Sequence, residues 1–117
     1  MSSMNNPHLS IVVTSRNDNH GGDMVKRMKY FLQTLYTLSS RQEIGLEVVF
    51  VEWNPPPSRP LLKEILPLPP KNLDYFELRY VVVPASLHGT LDNSDKLSMF
   101  QMIAKNVGVR RAKGQFV

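Results

Sequence analysis

The chain has 117 residues with a formal net charge of +4, an ordinary apolar-to-charged balance and no cysteine. One domain with a modest core fits that length, and general disorder, disulfides, thiolate metal sites and cysteine nucleophiles are excluded. No apolar run reaches the ~20 residues of a membrane span, and MSSMNNPHLS lacks a signal peptide's basic and apolar regions, so a cytoplasmic protein without a membrane span is expected.

In chain order, residues 1–8 read as a disordered polar lead. Leu9 to Thr14 (LSIVVT) is a continuous apolar run, the pattern of a strand buried on both faces. The loop Ser15 to Gly22 (SRNDNHGG) follows, and Asp23 is placed to cap a helix reaching about Ser39. Leu46 to Trp53 (LEVVFVEW) is a second buried strand. Asn54 to Pro60 is too proline-rich for helix or inner strand, and Leu61 to Leu66 predicts a short helix. Phe76 to Val83 is the third strand. A polar loop from Pro84 to Asp95 leads to Ser98 and Gln101, which have capping-box spacing for a last helix. In that helix Phe100, Ile103, Ala104 and Val107 form an apolar stripe, and Asn106, Arg110 and Lys113 a polar strip. Gly114 stands where a left-handed C-cap is expected, and Gln115 to Val117 read as the start of a fourth strand.

Alternating strands and helices imply an α/β fold with a parallel sheet, so the loops that leave the strands share one edge. Three groups there could carry chemistry. Thr14 to Gly22 can offer backbone N–H groups, the Arg16 fork and the amide and carboxyl edges of Asn17 and Asp18. His20 alone is ambiguous between a metal ligand, a ligand-binding polar group and a structural role, and the distance of His8 and His88 in sequence disfavours the metal. Glu52, at the end of a buried strand, needs a donor. That donor could be a ligand, solvent, Arg16 or Arg110. Trp53 reads as packing. Asn106 and Arg110 lie one helical turn apart, and Gly108 between them implies close backbone packing or a nearby ligand. Asp92 and Asp95 read as turn formers and caps. No GxGxxG or GxxxxGK[ST] pattern is present, and no basic cluster interleaved with aromatics points to nucleic acid.

Taken together, LSIVVTSRND, VVFVEWNPP and FQMIAKNVGVRRAKGQFV resemble the N-terminal half of a GT-A-fold glycosyltransferase of the family-two-like, nucleotide-diphospho-sugar transferase kind. The last segment is similar to the pattern N-x-G-x-x-x-A-x-G-[EQ]-[FY]-[VIL] that precedes the family's metal-binding Asp-x-Asp.

The resemblance implies a three-layer, Rossmann-like α/β/α sheet of strand order 3-2-1-4, cut at the start of strand four, with residues 9–117 as a partial nucleotide-sugar-binding domain. It implies that Thr14, Arg16, Asn17, Glu52, Asn106 and Arg110 bind the donor, a UDP-sugar. In intact members Mn²⁺ or Mg²⁺ sits on the diphosphate. No Asp-x-Asp occurs in these 117 residues, so this chain is expected to offer no metal ligands or catalytic residues and to be inactive alone. A non-catalytic nucleotide-binding or interaction module is the alternative. An incomplete fourth strand leaves a sheet edge open to self-association.

Overall fold

The structure, a computed structural model, describes residues 7–18, 22–71, 73 and 76–117. His20 and the polar lead Met1 to Asn6 lie outside the described residues. Three strands, β1 (Leu9–Ser15), β2 (Leu46–Trp53) and β3 (Phe76–Val83), alternate with α1 (Met24–Gln42), α2 (Leu62–Ile65), α3 (Ala85–His88) and α4 (Gln101–Arg111). The strands form one parallel sheet in the order β1-β2-β3. The chain is therefore an α/β protein, as its alternation of patterns implies. Ser15 stands opposite Glu52, and Trp53 opposite Val83, so the three strands end together at one edge.

All eight residues of β2 are buried. Side-chain alternation divides them between two cores. Leu46, Val48 and Phe50 pack with Leu32 and Tyr36 of α1 and Leu62 of α2. Val49, Val51 and Trp53 pack with Ala104 and Val107 of α4. A central strand flanked in this way has no face on which to alternate polar with apolar residues, which accounts for its unbroken apolar run.

Two glutamates interrupt that run and are fully buried, one in each core. Near the start of β2, the Glu47 Oε1 accepts from Ser10 Oγ at 2.7 Å and from the Lys113 backbone N–H at 2.9 Å. Its Oε2 lies 3.4 Å from Arg79 Nε. Ser10 Oγ in turn accepts from Gly114 N–H at 2.8 Å. A buried carboxylate is costly unless it is paired and its lone pairs are used; here hydroxyl and backbone donors use Oε1, while Oε2 makes no hydrogen bond and meets only the charge of Arg79. The network fixes the segment after α4 against β1, where Phe116 makes an isolated parallel bridge with Leu9. Phe116 N–H donates to His8 O at 3.0 Å, and Gln115 N–H to Pro7 O at 2.9 Å. Pro7 and His8, expected in the disordered lead, are thus part of this edge.

Several helix ends differ from the sequence expectation. Asp23 precedes α1 in a left-handed conformation (φ 50°) and makes no capping hydrogen bond. Phe100, without a side-chain cap, takes the N-cap of α4 in place of Ser98. The cap at the far end is Ala112 in an extended conformation, and Gly114 has no positive φ. Gly114 is required for another reason: a Cβ would press on Ser10 Oγ and N and on Phe116 O.

The buried residues of α4 are Ala104 and Gly108, while Ile103 is 42% exposed. A Cβ at Gly108 would collide with Val12 Cγ1 and reach Val51 Cγ2 at 3.1 Å. Of the two readings of Gly108, close packing is the one realised. On helix propensity alone Gly108→Ala would stabilise by ~1 kcal/mol. Overpacking against two β-branched side chains reverses the sign, and the variant is expected to lose about 1–3 kcal/mol. Urea unfolding of the two proteins measures this directly.

Candidate functional site

Where β1 ends, the chain turns through Arg16 to Asp18. Asn17 makes the turn with φ 62°, a left-handed conformation that asparagine tolerates better than most residues. Its backbone N–H donates to Ser15 Oγ at 2.9 Å. Its side chain is fully buried, and Nδ2 donates to Glu52 Oε2 at 2.9 Å and to Pro60 O at 2.7 Å. The other oxygen of Glu52, Oε1, accepts the Leu62 N–H at 3.0 Å, at the start of α2. One buried carboxylate therefore joins the loop after β1 to the proline-rich loop after β2.

The last residue of β2 and the one after it reach the third loop. The Trp53 Nε1–H donates to His88 Nδ1 at 2.9 Å. An indole N–H is a donor only, so Nδ1 is the acceptor and Nε2–H the donor to Ser94 O, at 3.2 Å. Phe100 packs edge-on against Trp53 and tilted against His88. Asn54, also left-handed (φ 47°), donates from Nδ2 to Ser98 O at 3.1 Å. Ser98 and the start of α4 are held by these contacts next to the end of β1.

Between them lies a cavity of about 360 Å³, lined by Thr14, Ser15, Arg16, Asp18, Met24, Arg27, Met28, Ser98, Met99 and Gln101. Arg16 Nη1 is 3.8 Å from Asp18 Oδ2, while its Nε is buried without a hydrogen-bond partner. Arg27 donates from Nε and Nη2 to Gly22 O at 3.1 and 2.8 Å. Gln101, the first residue of α4, whose N-terminus has no side-chain cap, lines the same cavity as the two arginines. Two guanidiniums and a helix N-terminus against the single Asp18 carboxylate leave the lining with an excess of positive charge. A second cavity, of about 310 Å³ and lined by Tyr36, Thr37, Ser40, Arg41, Pro70 and Leu73, lies toward the other end of α1.

The six residues singled out in the sequence fall into three groups. Thr14 and Arg16 line the cavity. Asn17 and Glu52 are buried below it and bonded to each other. Asn106 and Arg110 are exposed on α4 and do not line it. The helix runs back along the sheet, from Gln101 at the cavity to Gly108 beside Val12 and Lys113 beside Glu47. Arg110 is nine positions beyond Gln101, roughly 14 Å along the axis, and Asn106 roughly 8 Å.

Arg27, Ser98 and Gln101 are cavity residues that the sequence reading missed. Arg27 lies in the first turn of a helix whose start was foreseen, so its proximity to the loop was legible. Ser98 and Gln101 were read only as capping residues. Among the described residues no group of three or more His, Cys, Asp or Glu side chains is arranged to hold a metal ion. These residues do not fit the Mn²⁺ or Mg²⁺ that the resemblance implies. No protein-family model, curated protein or solved structure matches the chain.

His88 and the buried tyrosines each generate a prediction. His88→Ala leaves the Trp53 N–H buried without an acceptor, at about 1–3 kcal/mol, with a further loss from the ring contacts. Trp53 is the chain's single tryptophan, so unfolding followed by its fluorescence should show the loss together with a red-shifted native emission.

The second prediction is alkaline. Burial, with Tyr80 beside it, pushes the Tyr36 hydroxyl up to about 12, and Tyr80 is raised by burial and then by Glu52. The folded state therefore keeps protons that the unfolded chain releases above pH ~10. This contribution is fully present below pH ~10 and is lost as the pH rises toward 12. Urea midpoints should fall over that interval, and Tyr36→Phe should flatten the fall.

Proposed function

We propose that this chain is a nucleotide-sugar-binding unit of the glycosyltransferase kind and that the cavity at the end of β1 receives the diphosphate of a UDP-sugar. One observation carries the reading. A pocket at the carboxyl edge of a parallel sheet, where such sheets take ligands, has Arg16, Arg27 and an uncapped helix N-terminus around one opening. The buried Arg16 Nε lacks an acceptor, and an anion would supply one. Thr14 and Ser15 add hydroxyl groups at the rim. Asn17 and Glu52 serve from below, and Asn106 and Arg110 take no part in this version of the site.

The finer architecture belongs to the same proposal. The Phe116 bridge on the free side of β1 supports a strand order 3-2-1-4, and helices packed against both faces of β2 support a three-layer, Rossmann-like arrangement. Among the described residues no strand pairs with the rest of that side of β1, where a second copy could pair. The chemistry derived from these residues stops at binding and orienting the donor. A binding module without catalysis would use the same cavity.

Calorimetric titration tests the reading. UDP and inorganic pyrophosphate are expected to bind without added divalent ion, with affinity that falls as salt rises. Arg16→Ala should weaken both by about tenfold, the value of one charge-assisted contact. Absence of binding at millimolar ligand, or unchanged affinity in the variant, would overturn the proposal.

A further inference from the structure

Glu52 is an acid at the end of a strand beside a ligand-sized pocket, a position from which a carboxylate could touch a ligand directly. Its environment points to another role. The side chain is 1% exposed, and both oxygens are engaged, one by Asn17 Nδ2 and one by the Leu62 N–H. Asn17 is fully buried and its Nδ2 spans Glu52 and Pro60 O. The orientation of this amide is fixed by chemistry. Both neighbours are acceptors, so the nitrogen must face them, and Oδ1 is left buried without a partner. Such an orphaned acceptor costs free energy, and the arrangement that retains it holds Asn17 left-handed immediately after Arg16.

We infer that Glu52 and Asn17 are positioning residues. They couple the loop after β1 to the loop before α2 and thereby set the Arg16 guanidinium in the cavity, and neither contacts the ligand. This deepens the proposed reading and rests on the cavity being an anion site. Asn17 adjoins Arg16 in a turn only two residues beyond the strand, with Ser15 Oγ closing the turn on the Asn17 N–H. A rotation of Asn17 about φ swings Arg16 with it. Among the described residues, only the Glu52 and Pro60 acceptors anchor the Asn17 side chain. Glu52 is itself located by the β1–β2 register and by Leu62.

Glu52→Gln is the discriminating variant because it keeps size and shape. The amide oxygen still accepts the Leu62 N–H, while its NH₂ meets the Asn17 NH₂, so the link to Asn17 alone is broken. Binding of inorganic pyrophosphate to wild type, Glu52→Gln, Arg16→Ala and the double variant forms a cycle. The expectation is that Glu52→Gln weakens binding by about fivefold to tenfold, and that the double variant is no weaker than Arg16→Ala. A residue acting through Arg16 has nothing left to act on once that side chain is gone. Full additivity in the double variant, or wild-type affinity in Glu52→Gln, would overturn the inference.

A second readout requires no ligand. In Asn17→Ala the amide of Leu62, which Asn17 does not touch, should exchange its hydrogen faster, together with the backbone amide at position 17. An unchanged Leu62 amide would show that the two loops are not coupled and would overturn the inference even where pyrophosphate binds. Accelerated exchange in a chain that binds no pyrophosphate would uphold the coupling and remove the anion site instead.

Discussion

The carboxyl end of β2 is the constraint on which the rest depends. Glu52 and Trp53 point to opposite faces of the sheet, Asn54 follows just beyond the strand in a left-handed conformation, and each of the three fastens a different loop. Glu52 holds the turn after β1 and the start of α2, Trp53 holds α3 through His88, and Asn54 holds the entry to α4 through Ser98. The described lining of the pocket between β1 and α4 comes from the end of β1, the start of α1 and the entry to α4. Its shape comes from these bonds, made in a water-poor interior where a polar contact is strong and an unpaired group costly.

The opposite edge follows the same logic with a second acid. Glu47 and Glu52 lie five residues apart on one strand and therefore face opposite sides of the sheet. Glu47 gathers Ser10, the Lys113 amide and Arg79, and so fastens the segment after α4 to the start of β1. Between these two polar anchors, α4 lies close to the sheet because Ala104 and Gly108 present almost no side chain. The two ends are joined mechanically: Glu47 fixes where the helix finishes, and Asn54 fixes where it begins.

The strands were legible because buried parallel strands read as unbroken apolar runs, and LSIVVT, LEVVFVEW and FELRYVVV are such runs. The polar character of the loop after β1 was equally plain. What the letters could not convey was direction. Whether Glu52 meets a ligand or an asparagine depends on the register that sets Ser15 opposite it, and register is a property of two strands together. On α4 the apolar stripe holds for Phe100, Ala104 and Val107, which pack in the core, and fails at Ile103, which is 42% exposed. A hydrophobic period gives weight to bulk, whereas the closest approach to the sheet is made by Ala104 and Gly108. Asn106 and Arg110 share a spacing that puts them on one face, but only the direction of the helix along the sheet shows how far that face lies from Arg16.

The central claim is that a nucleotide diphosphate settles at the end of β1, against the start of α4. Mapping amide chemical shifts during a UDP titration of the wild-type chain tests it most directly. Perturbations concentrated at Thr14 to Asp18 and at Ser98 to Gln101, with Asn106 to Arg111 quiet, are the predicted result. Perturbations centred instead on Tyr36 to Arg41, or spread along the exposed face of α4, would contradict it.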